Sequence, residues 1–393
     1  MPGALDGVRI LDFTRYQQGP FATVLLSDLG ADVIKVEEPT NGDLGRSLGL
    51  QPDGWCAYFQ ALNRNKRSLT IDTRTPEGRE IIYKLVPDTD VVADNFRPGT
   101  MERFGLDHDS LAAINPRIIT ASATGFGPEG PHAHEPSFDS IGQAMGGIMV
   151  AQGGGPGAVP ASVIGGMADQ VGAMIFALGI SSALVARELH GVGQHVDTSL
   201  LGSQLALQGL GLTGFLRTRA QGPSAPRWNP LFTFYPCSDG LYLSVGLLDP
   251  KWWPPFCVAL GREDLMVDER FEAPQGRIGN RDELIAELEA TFGSKPRGEW
   301  LAILKGADLP CGPVNDYAAV AEDAQVIANE YLTTLEDASL GTVGVVGTPI
   351  QMTKTRAGPR STAPDLGQHT EEILLTLDYT WDDIERFKAA KVI

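Results

Sequence analysis

Short apolar segments alternate with helix-forming segments along the first third of the chain, and this alternation restricts the fold more than any other feature. Runs of apolar and β-branched residues predict strands at residues 8–14, 32–37, 68–71, 91–94 and 118–123. Helices are predicted between them at residues 19–30, where Pro20 takes the first position, and from the cap Thr75 to Leu85. This alternation predicts an α/β fold, with a parallel sheet covered by helices on both faces.

Helices predominate after residue 137. Four apolar residues follow the spacing of one helical face, which we expect to be buried: Val171, Met174, Ile175 and Leu178. This helix is expected to end at Gly191, and residues 194–200 predict one more short strand.

Residues 221–230, QGPSAPRWNP, are rich in turn formers and predict a domain boundary. A predicted two-stranded hairpin follows, and then helices to about Lys305. We therefore expect a large N-terminal domain at residues 1–220, a smaller α+β domain at residues 225–325, and a C-terminal part at residues 326–393 that ends in two helices.

The composition disfavours several classes of partner. The chain has 31 Lys and Arg against 49 Asp and Glu, and its net charge of -18 disfavours nucleic acid and anionic membranes. No apolar run approaches the roughly 20 residues that span a bilayer, and the N-terminus does not resemble a secretory signal. The four cysteines lack a C-x-x-C pair, so we expect neither a zinc site nor a disulfide framework, and a cytoplasmic location.

The motifs of common nucleotide-binding and hydrolytic sites are absent from the sequence. The turn after the first predicted strand, FTRYQQGPF, lacks the G-x-G-x-x-G fingerprint of dinucleotide binding, and neither a P-loop nor a G-x-S-x-G elbow occurs. The glycine run at residues 153–157 fits a surface loop better than a phosphate cradle. His132 and His134 lack further ligands nearby, so no metal site is expected.

Basic residues gather near the predicted ends of two strands. Arg74, Arg97 and Arg103 have the forked donors that suit phosphate groups, but arginines at such positions are also common as solvated surface charges. The sequence pattern alone leaves both interpretations open.

Asp169 is the single acid in the otherwise small and apolar segment at residues 162–180. One interpretation is a helix N-cap, because aspartate is favoured there and a helix is predicted to follow. The other is a nucleophilic carboxylate, because Gly165, Gly166 and Gly172 leave room for a second molecule to approach it.

Many ordered segments of the chain resemble the class III CoA-transferase family, also called the CaiB/BaiF family. The resemblance covers nearly the whole chain, and the segments that carry it include LDGVRILDFTRYQQGPFATVLLSDLGADVIKVEEPTNGD, NRNKRSLTIDTRTPEG, ADNFRPGTMERFGL, NPRIITASATGFGPEGP, GGMADQVGAMIFALGI, LPCGPVN and APDLGQHTEEIL. The resemblance implies a Rossmann-like large domain built from both ends of the chain, a smaller domain between them, and two interlocked subunits.

The resemblance also implies roles for individual residues. The family's catalytic aspartate corresponds to Asp169. The positions that contact coenzyme A correspond to Gln17, Gln18, Asp72, Thr73, Arg74, Asn95, Phe96, Arg97 and Arg103. Coenzyme A and acyl-CoA are then substrates together with a carboxylic acid, and no metal or tightly bound cofactor is expected.

The implied reaction is the transfer of CoA from an acyl-CoA to a carboxylic acid through an aspartyl anhydride and an aspartyl-CoA thioester. Two departures from the family pattern affect the substrate contacts. Glu38 and Pro39 stand where a basic residue meets CoA, and GPSAPRWNPL stands where some members have a glycine run that closes over the site.

Two alternatives remain. Related 2-methylacyl-CoA racemases need a histidine after the GFG loop, whereas this chain has Ser137, Phe138 and Asp139 there, which favours transfer. A non-catalytic partner subunit is the second alternative, and the intact Asp169 with its glycine neighbours argues against it.

Overall fold

The computed structural model describes residues 2–220 and 227–393. Part of the predicted boundary, residues 221–226, therefore lies outside the described residues, as does half of the segment that replaces the glycine run. The described chain divides into two compact units. The first comprises the described parts of Met1–Met149, Ser162–Arg219 and Ile327–Ile393, and the second comprises those of Val150–Ala161 and Ala220–Val326.

Among the described residues, the first unit is built on a six-stranded parallel sheet with the strand order β3-β2-β1-β4-β5-β6. These strands are β1 Arg9–Asp12, β2 Asp32–Glu37, β3 Arg67–Thr70, β4 Val91–Asp94, β5 Ile119–Thr124 and β6 Gln194–Ser199. In the register of the sheet, Ile10 lies between Val33 and Val91. The prediction of a parallel α/β sheet is confirmed.

Helices pack on both faces of this sheet. The helices of the first unit are α1 Gln18–Asp28, α2 Ala57–Asn63, α3 Pro76–Leu85, α4 Thr100–Phe104, α5 His108–Ala112, α6 Asp139–Gly146, α7 Ile148–Gln152 (which continues into the second unit), α8 Met167–His190, α9 Leu200–Leu207 and α10 Gly209–Thr218. On one face Leu11 and Ile34 pack with Ile81, and on the other Ile10 and Val33 pack with Phe176 of α8.

The second unit contains a three-stranded antiparallel sheet covered by helices. Its strands are β7 Phe232–Pro236, β8 Tyr242–Gly246 and β9 Cys311–Pro313, and its helices are α11 Trp253–Leu260, α12 Glu263–Met266, α13 Pro274–Gly279, α14 Arg281–Phe292, α15 Arg297–Gly306, α16 Tyr317–Ala321 and α17 Ala324–Ala328. Tyr235, Phe256, Phe292 and Trp300 fill its core. The first two strands form the predicted hairpin.

The C-terminal segment packs with the first unit. It comprises the hairpin β10 Leu332–Asp337 and β11 Gly341–Val346, followed by α18 Thr370–Thr376 and α19 Trp381–Ala389. Ile384 and Phe387 of α19 lie in the hydrophobic core against the sheet. The side chains of His369 and Thr370 accept hydrogen bonds from the backbone N–H groups of Ser68 and Thr70, which protects the edge strand β3.

Helix α8 ends at Gly191 as predicted. It begins directly after Gly166 and not after Asp169, and the prediction of its buried face is wrong. Met174 and Leu178 are 53% and 62% exposed, whereas Phe176 and its small neighbours are buried against the sheet. The reason is close approach at the N-terminal end of the helix. A Cβ atom on Gly172 would lie 2.7 Å from Gln18 Nε2, so this position on the buried face has no room for a side chain.

The expectation that no apolar segment reaches membrane-spanning length is also wrong. By length and composition alone, α8 is the one helix in the described residues that meets this criterion, with 24 residues and a window of mean hydropathy 1.5. Core helices meet the same criterion, and Phe176 and Ile180 of α8 are fully buried within the first unit. We therefore interpret α8 as a core helix with one uncovered apolar face.

Candidate active site

The candidate active site lies where the β1–α1 loop, residues 13–17, meets the N-terminus of α8. This loop follows the carboxyl end of β1, where parallel sheets usually bind their ligands. Asp12 accepts hydrogen bonds from the backbone N–H and hydroxyl of Thr14, and Lys66 pairs with the same carboxylate at 2.9 Å. Gly19 is required next to Thr14, because a Cβ atom there would lie 2.3 Å from the threonine side chain.

Asp169 is the third residue of α8 and does not cap the helix. Gly166 occupies the N-cap position with φ 75°, and the side chain of Asp139 does the capping. Asp139 Oδ1 accepts hydrogen bonds from the backbone N–H groups of Ala168 at 2.7 Å and Asp169 at 3.2 Å. The N-cap interpretation of Asp169 is therefore wrong, and its carboxylate is left available for another purpose.

The electrostatic environment favours a protonated Asp169 near neutral pH. Burial is the main cause, and the nearby negative charge of Asp139 adds to it, so that the pKa of Asp169 rises to about 7. Tyr58 of α2 faces the same region. Burial and then the charge of Asp169 raise the pKa of its hydroxyl, which keeps Tyr58 protonated and able to donate a hydrogen bond.

Gln17 and Gln18 lie beside the N-terminus of α8. Gln17 Nε2 donates a hydrogen bond to the carbonyl of Gly165 at 3.1 Å, and a Cβ atom on Gly166 would lie 2.1 Å from that nitrogen. The Gln18 side chain is almost fully buried, and its Nε2 has no hydrogen-bond partner among the described residues. The structure thus brings both glutamines to the helix end that carries Asp169.

The remaining predicted CoA contacts form two groups. Arg74 binds Asp72 through two hydrogen bonds of 2.7 and 2.9 Å, and its guanidinium also lies 3.9 Å from Glu38. Thr73, between them in the chain, is partly exposed. Glu38 accepts backbone hydrogen bonds from the turn that follows it, so this substituted residue has a local structural role.

The second group lies after β4. Arg97 and Arg103 are exposed, and Arg103 also donates a hydrogen bond to the Thr100 hydroxyl at 3.0 Å. The side chain of Asn95 is occupied, since it accepts from the N–H of Arg15 and donates to its carbonyl, both at 2.8 Å. Asn95 therefore fixes the β1–α1 loop, and its carboxamide is not free for a ligand in this arrangement.

Three residues of the site were missed from the sequence. Asp139 and Tyr58 approach Asp169 from helices distant in the chain. Arg15 places its guanidinium 5.2 Å from the centre of the Phe96 ring and is exposed. Of these three residues, only Arg15 could have been recognised in the sequence as a site residue, because it lies two residues before Gln17 and adds a positive charge to the turn after β1.

The structure also describes the histidines considered as metal ligands. His132 is 3.1 Å from Glu135 and partly exposed in its loop. Across residues 2–220 and 227–393, no three His, Cys, Asp or Glu side chains are grouped so that they could hold a metal ion.

Comparisons with known proteins agree with the resemblance in the sequence. The model of CoA-transferase family III matches residues 5–370. The acetyl-CoA:oxalate CoA-transferase of Acetobacter aceti is 36% identical over 89% of this chain and 89% of that protein. The succinyl-CoA–D-citramalate CoA-transferase of Chloroflexus aurantiacus is 35% identical over 100% of this chain and 98% of that protein.

A solved structure shows the same similarity. The crystal structure of a CaiB/BaiF family protein from Brucella suis superposes with a TM-score of 0.85 at 35% identity, covering 96% of this chain and 100% of that one. The family model and these relatives extend over nearly the whole chain, and both units are included. The chain belongs to CoA-transferase family III.

Proposed function

We propose that this protein transfers CoA from an acyl-CoA to a carboxylic acid, with Asp169 as the nucleophile. The observation that carries the proposal is the position of its carboxylate. Asp169 is partly buried in the first turn of α8 but does not cap the helix, because Asp139 does so. Gly166 and Gly172 allow Gln17 and Gln18 to pack beside it, and the space next to Gly165 is open, which leaves room for a ligand.

The proposed reaction consists of acyl transfers at this one carboxylate. Ionised Asp169 attacks the thioester carbonyl of the donor, the C–S bond breaks, and a mixed anhydride and CoA thiolate form. The thiolate then attacks the aspartyl carbonyl, which releases the donor acid and leaves an aspartyl-CoA thioester. The acceptor carboxylate attacks that thioester to form a second anhydride, and the returning thiolate yields the new acyl-CoA and free Asp169.

The oxyanion formed at each step needs hydrogen-bond donors. Backbone N–H groups of the helix N-terminus are the usual choice, but those of Ala168 and Asp169 already donate to Asp139. The nearby donors with spare capacity are the carboxamides of Gln17 and Gln18. We therefore assign oxyanion stabilisation to these two side chains.

CoA itself is the substrate and not a resident cofactor in this proposal. Arg74, Arg97 and Arg103 are exposed and suit the phosphate groups of its nucleotide part. Asp72 orients Arg74 through hydrogen bonds, and we assign further contacts to Thr73 and to Phe96, whose ring lies beside the Arg15 guanidinium. All of these residues lie in the first unit, which differs from the predicted large domain at residues 1–220 and 326–393 in that Val150–Ala161 falls in the second unit.

Mass spectrometry of the intact protein tests this proposal. The protein is incubated briefly with acetyl-CoA, succinyl-CoA and other acyl-CoAs, and Asp169→Ala is treated in parallel. Asp383→Asn serves as a matched control, because Asp383 lies in the first turn of α19, where it accepts hydrogen bonds from Thr380, and is not one of the residues assigned to the site. We expect a covalent acyl or CoA adduct in the wild type and the control, and none in Asp169→Ala.

The negative outcomes separate the alternatives. If acyl-CoA binds but no adduct forms, exchange of the substrate α-hydrogen with deuterated water indicates a racemase. If calorimetry detects no binding of any acyl-CoA, the chain is a non-catalytic subunit. If an adduct forms, the first acceptor acids to test are oxalate and D-citramalate, which are named for two relatives.

We further propose that two copies associate, in keeping with the interlocked subunits that the family resemblance implies. Met174, Leu178, Val185 and Leu189 expose apolar side chains along α8, and Leu189 is 72% exposed. Light scattering is expected to give twice the chain mass of 42.0 kDa, and Leu178→Glu is expected to lower it. A monomeric wild type would refute this part. We place the dimer in the cytoplasm.

A further inference from the structure

The β1–α1 loop is held in an unusual backbone conformation. Tyr16 has φ 63°, the left-handed region that residues other than glycine, asparagine and aspartate rarely adopt. Such a conformation persists only where the surrounding structure determines it, and it is frequent at functional sites. The next two residues are Gln17 and Gln18, which lie against the N-terminus of α8.

Two buried charged residues, Lys35 and Asp43, hold this conformation through hydrogen bonds to the backbone of the loop. Asp43 Oδ1 accepts a hydrogen bond from the backbone N–H of Tyr16 at 3.1 Å, and Lys35 Nζ donates one to the carbonyl of Thr14 at 2.8 Å. Lys35 and Asp43 also pair with each other at 2.9 Å, and their side chains are 0% and 1% exposed. The two side chains therefore fix the backbone on both sides of Arg15.

Opposite charge and backbone donors keep Asp43 ionised despite its burial. Burial alone would raise the pKa of Asp43, but Lys35 and the backbone N–H groups of Gly45 and Tyr16 hold it below its ordinary value. A buried pair of this kind adds little to stability compared with apolar residues of similar size. The hydrogen bonds of the pair to the Tyr16 N–H group and the Thr14 carbonyl, in contrast, favour one backbone conformation of the β1–α1 loop.

We propose that Asp43, held in place by Lys35, is a positioning residue that keeps Tyr16 left-handed and thereby aims Gln17 and Gln18 at the reacting centre. This inference rests on the proposed role of Asp169 and extends it to residues that touch no substrate. Misplacement of catalytic groups by about 1 Å can reduce a rate on the order of a hundredfold.

Two double variants isolate the acceptor that Asp43 provides. Lys35→Met/Asp43→Asn removes both charges but keeps an oxygen for the Tyr16 N–H group, whereas Lys35→Met/Asp43→Ala removes that oxygen as well. Asp28→Asn is the control for loss of a buried ion pair, because Asp28 pairs with Arg64 at 2.6 Å at the far end of α1.

Two measurements are made on each variant. Hydrogen exchange with mass spectrometry follows the peptide that contains residues 13–18, and steady-state kinetics give kcat and the KM for acyl-CoA. In the alanine double variant we expect exchange at least tenfold faster in this peptide, a kcat at least tenfold lower, and a KM within about threefold of the wild type. In Asp28→Asn we expect kcat within about threefold of the wild type. In the asparagine double variant we expect a several-fold smaller loss of kcat than in the alanine double variant, because both lose the Lys35 hydrogen bond to Thr14 but only the alanine variant loses the acceptor for the Tyr16 N–H group.

The outcomes are distinguishable from failure of the proposed function. If the wild type transfers no CoA, the proposed function fails, while the exchange data still decide whether Asp43 holds the loop. If the wild type is active and both double variants lose kcat equally, or neither does, the positioning role is overturned. Should the alanine double variant fail to fold, a folded asparagine double variant with a tenfold lower kcat and unchanged hydrogen exchange at residues 13–18 overturns it too.

Discussion

Neutralising Asp139 is expected to move the pH dependence of the reaction towards acid. The change Asp139→Asn removes one negative charge next to Asp169 but keeps an oxygen for the N–H groups of Ala168 and Asp169. Asparagine is as good a helix N-cap as aspartate, so α8 remains capped. The variant therefore removes the charge of Asp139 and keeps the cap of α8, while Gln143 Nε2 loses Asp139 Oδ2 as an acceptor.

The magnitude follows from the raised pKa of Asp169. A pKa of about 7 instead of 3.8 means that ionising this carboxylate costs roughly 4 kcal/mol more than in an exposed aspartate. At pH 6 only about a tenth of the molecules then carry the ionised nucleophile. Burial is the larger cause and Asp139 the smaller, so we expect the variant to lower the midpoint by about one pH unit or less.

The assay is the pH profile of kcat/KM for the acyl-CoA, because this parameter reports the ionisation of the free enzyme. The wild-type profile is expected to rise with a midpoint near pH 7. In Asp139→Asn the midpoint moves down, and activity at pH 6 relative to the plateau rises severalfold. Carbon NMR of the Asp169 carboxyl measures the same pKa without relying on catalysis.

Asp383→Asn is the control, since it removes an equal charge in the first turn of α19. Its profile should match that of the wild type. A wild-type midpoint near pH 4 would show that burial does not raise the pKa of Asp169. An unchanged midpoint in Asp139→Asn would show that the charge of Asp139 does not affect the pKa of Asp169.

Three further changes test other contacts. In urea titrations, Asp169→Asn should raise the free energy of unfolding at pH 8 by up to about 4 kcal/mol and leave it nearly unchanged at pH 4. The reason is that the folded protein binds the Asp169 proton more tightly than the unfolded chain, so the wild type loses stability as pH rises from about 4 to 7. Equal effects at both pH values would contradict this prediction. Gly166→Ala should lower the free energy of unfolding by about 1–3 kcal/mol, since alanine is strained at φ 75° and collides with Gln17. Gly209→Ala, at an open helical position, should not lower the free energy of unfolding. Arg74→Met should raise the KM for acyl-CoA several-fold with kcat unchanged and make KM less sensitive to salt, and an unaltered KM would exclude a phosphate contact there.

Much of the first unit was predictable because its local signals agree with one another. The strands Asp32–Glu37 and Val91–Asp94 have the predicted bounds, since buried parallel strands consist of continuous apolar runs between turns. Thr75 caps α3 through its hydroxyl, as its position before Pro76 indicates. Such features depend on neighbours within a few residues, which a single sequence displays directly.

The candidate site was only partly predictable because its decisive contacts join distant segments. Asp169 stood out as a lone acid, but Asp139 caps its helix from 30 residues earlier in the chain. Similarly, Asn95 hydrogen-bonds Arg15 across a separation of 80 residues. Neither pairing leaves a periodic or compositional signal, so the sequence pattern alone allowed Asp169 to be its own cap and Asn95 to be free for a ligand.

The error in the buried face of α8 has a physical cause that bears on assembly. Both sides of this helix are apolar, so the spacing of large residues could not indicate which side faces the sheet. The sheet and α1 select the side on which Gly172 and Ala173 permit close packing beside the buried Phe176, and Met174 and Leu178 are left outside. The exposed apolar side chains that contradict the predicted face are therefore the same ones on which the dimer proposal rests.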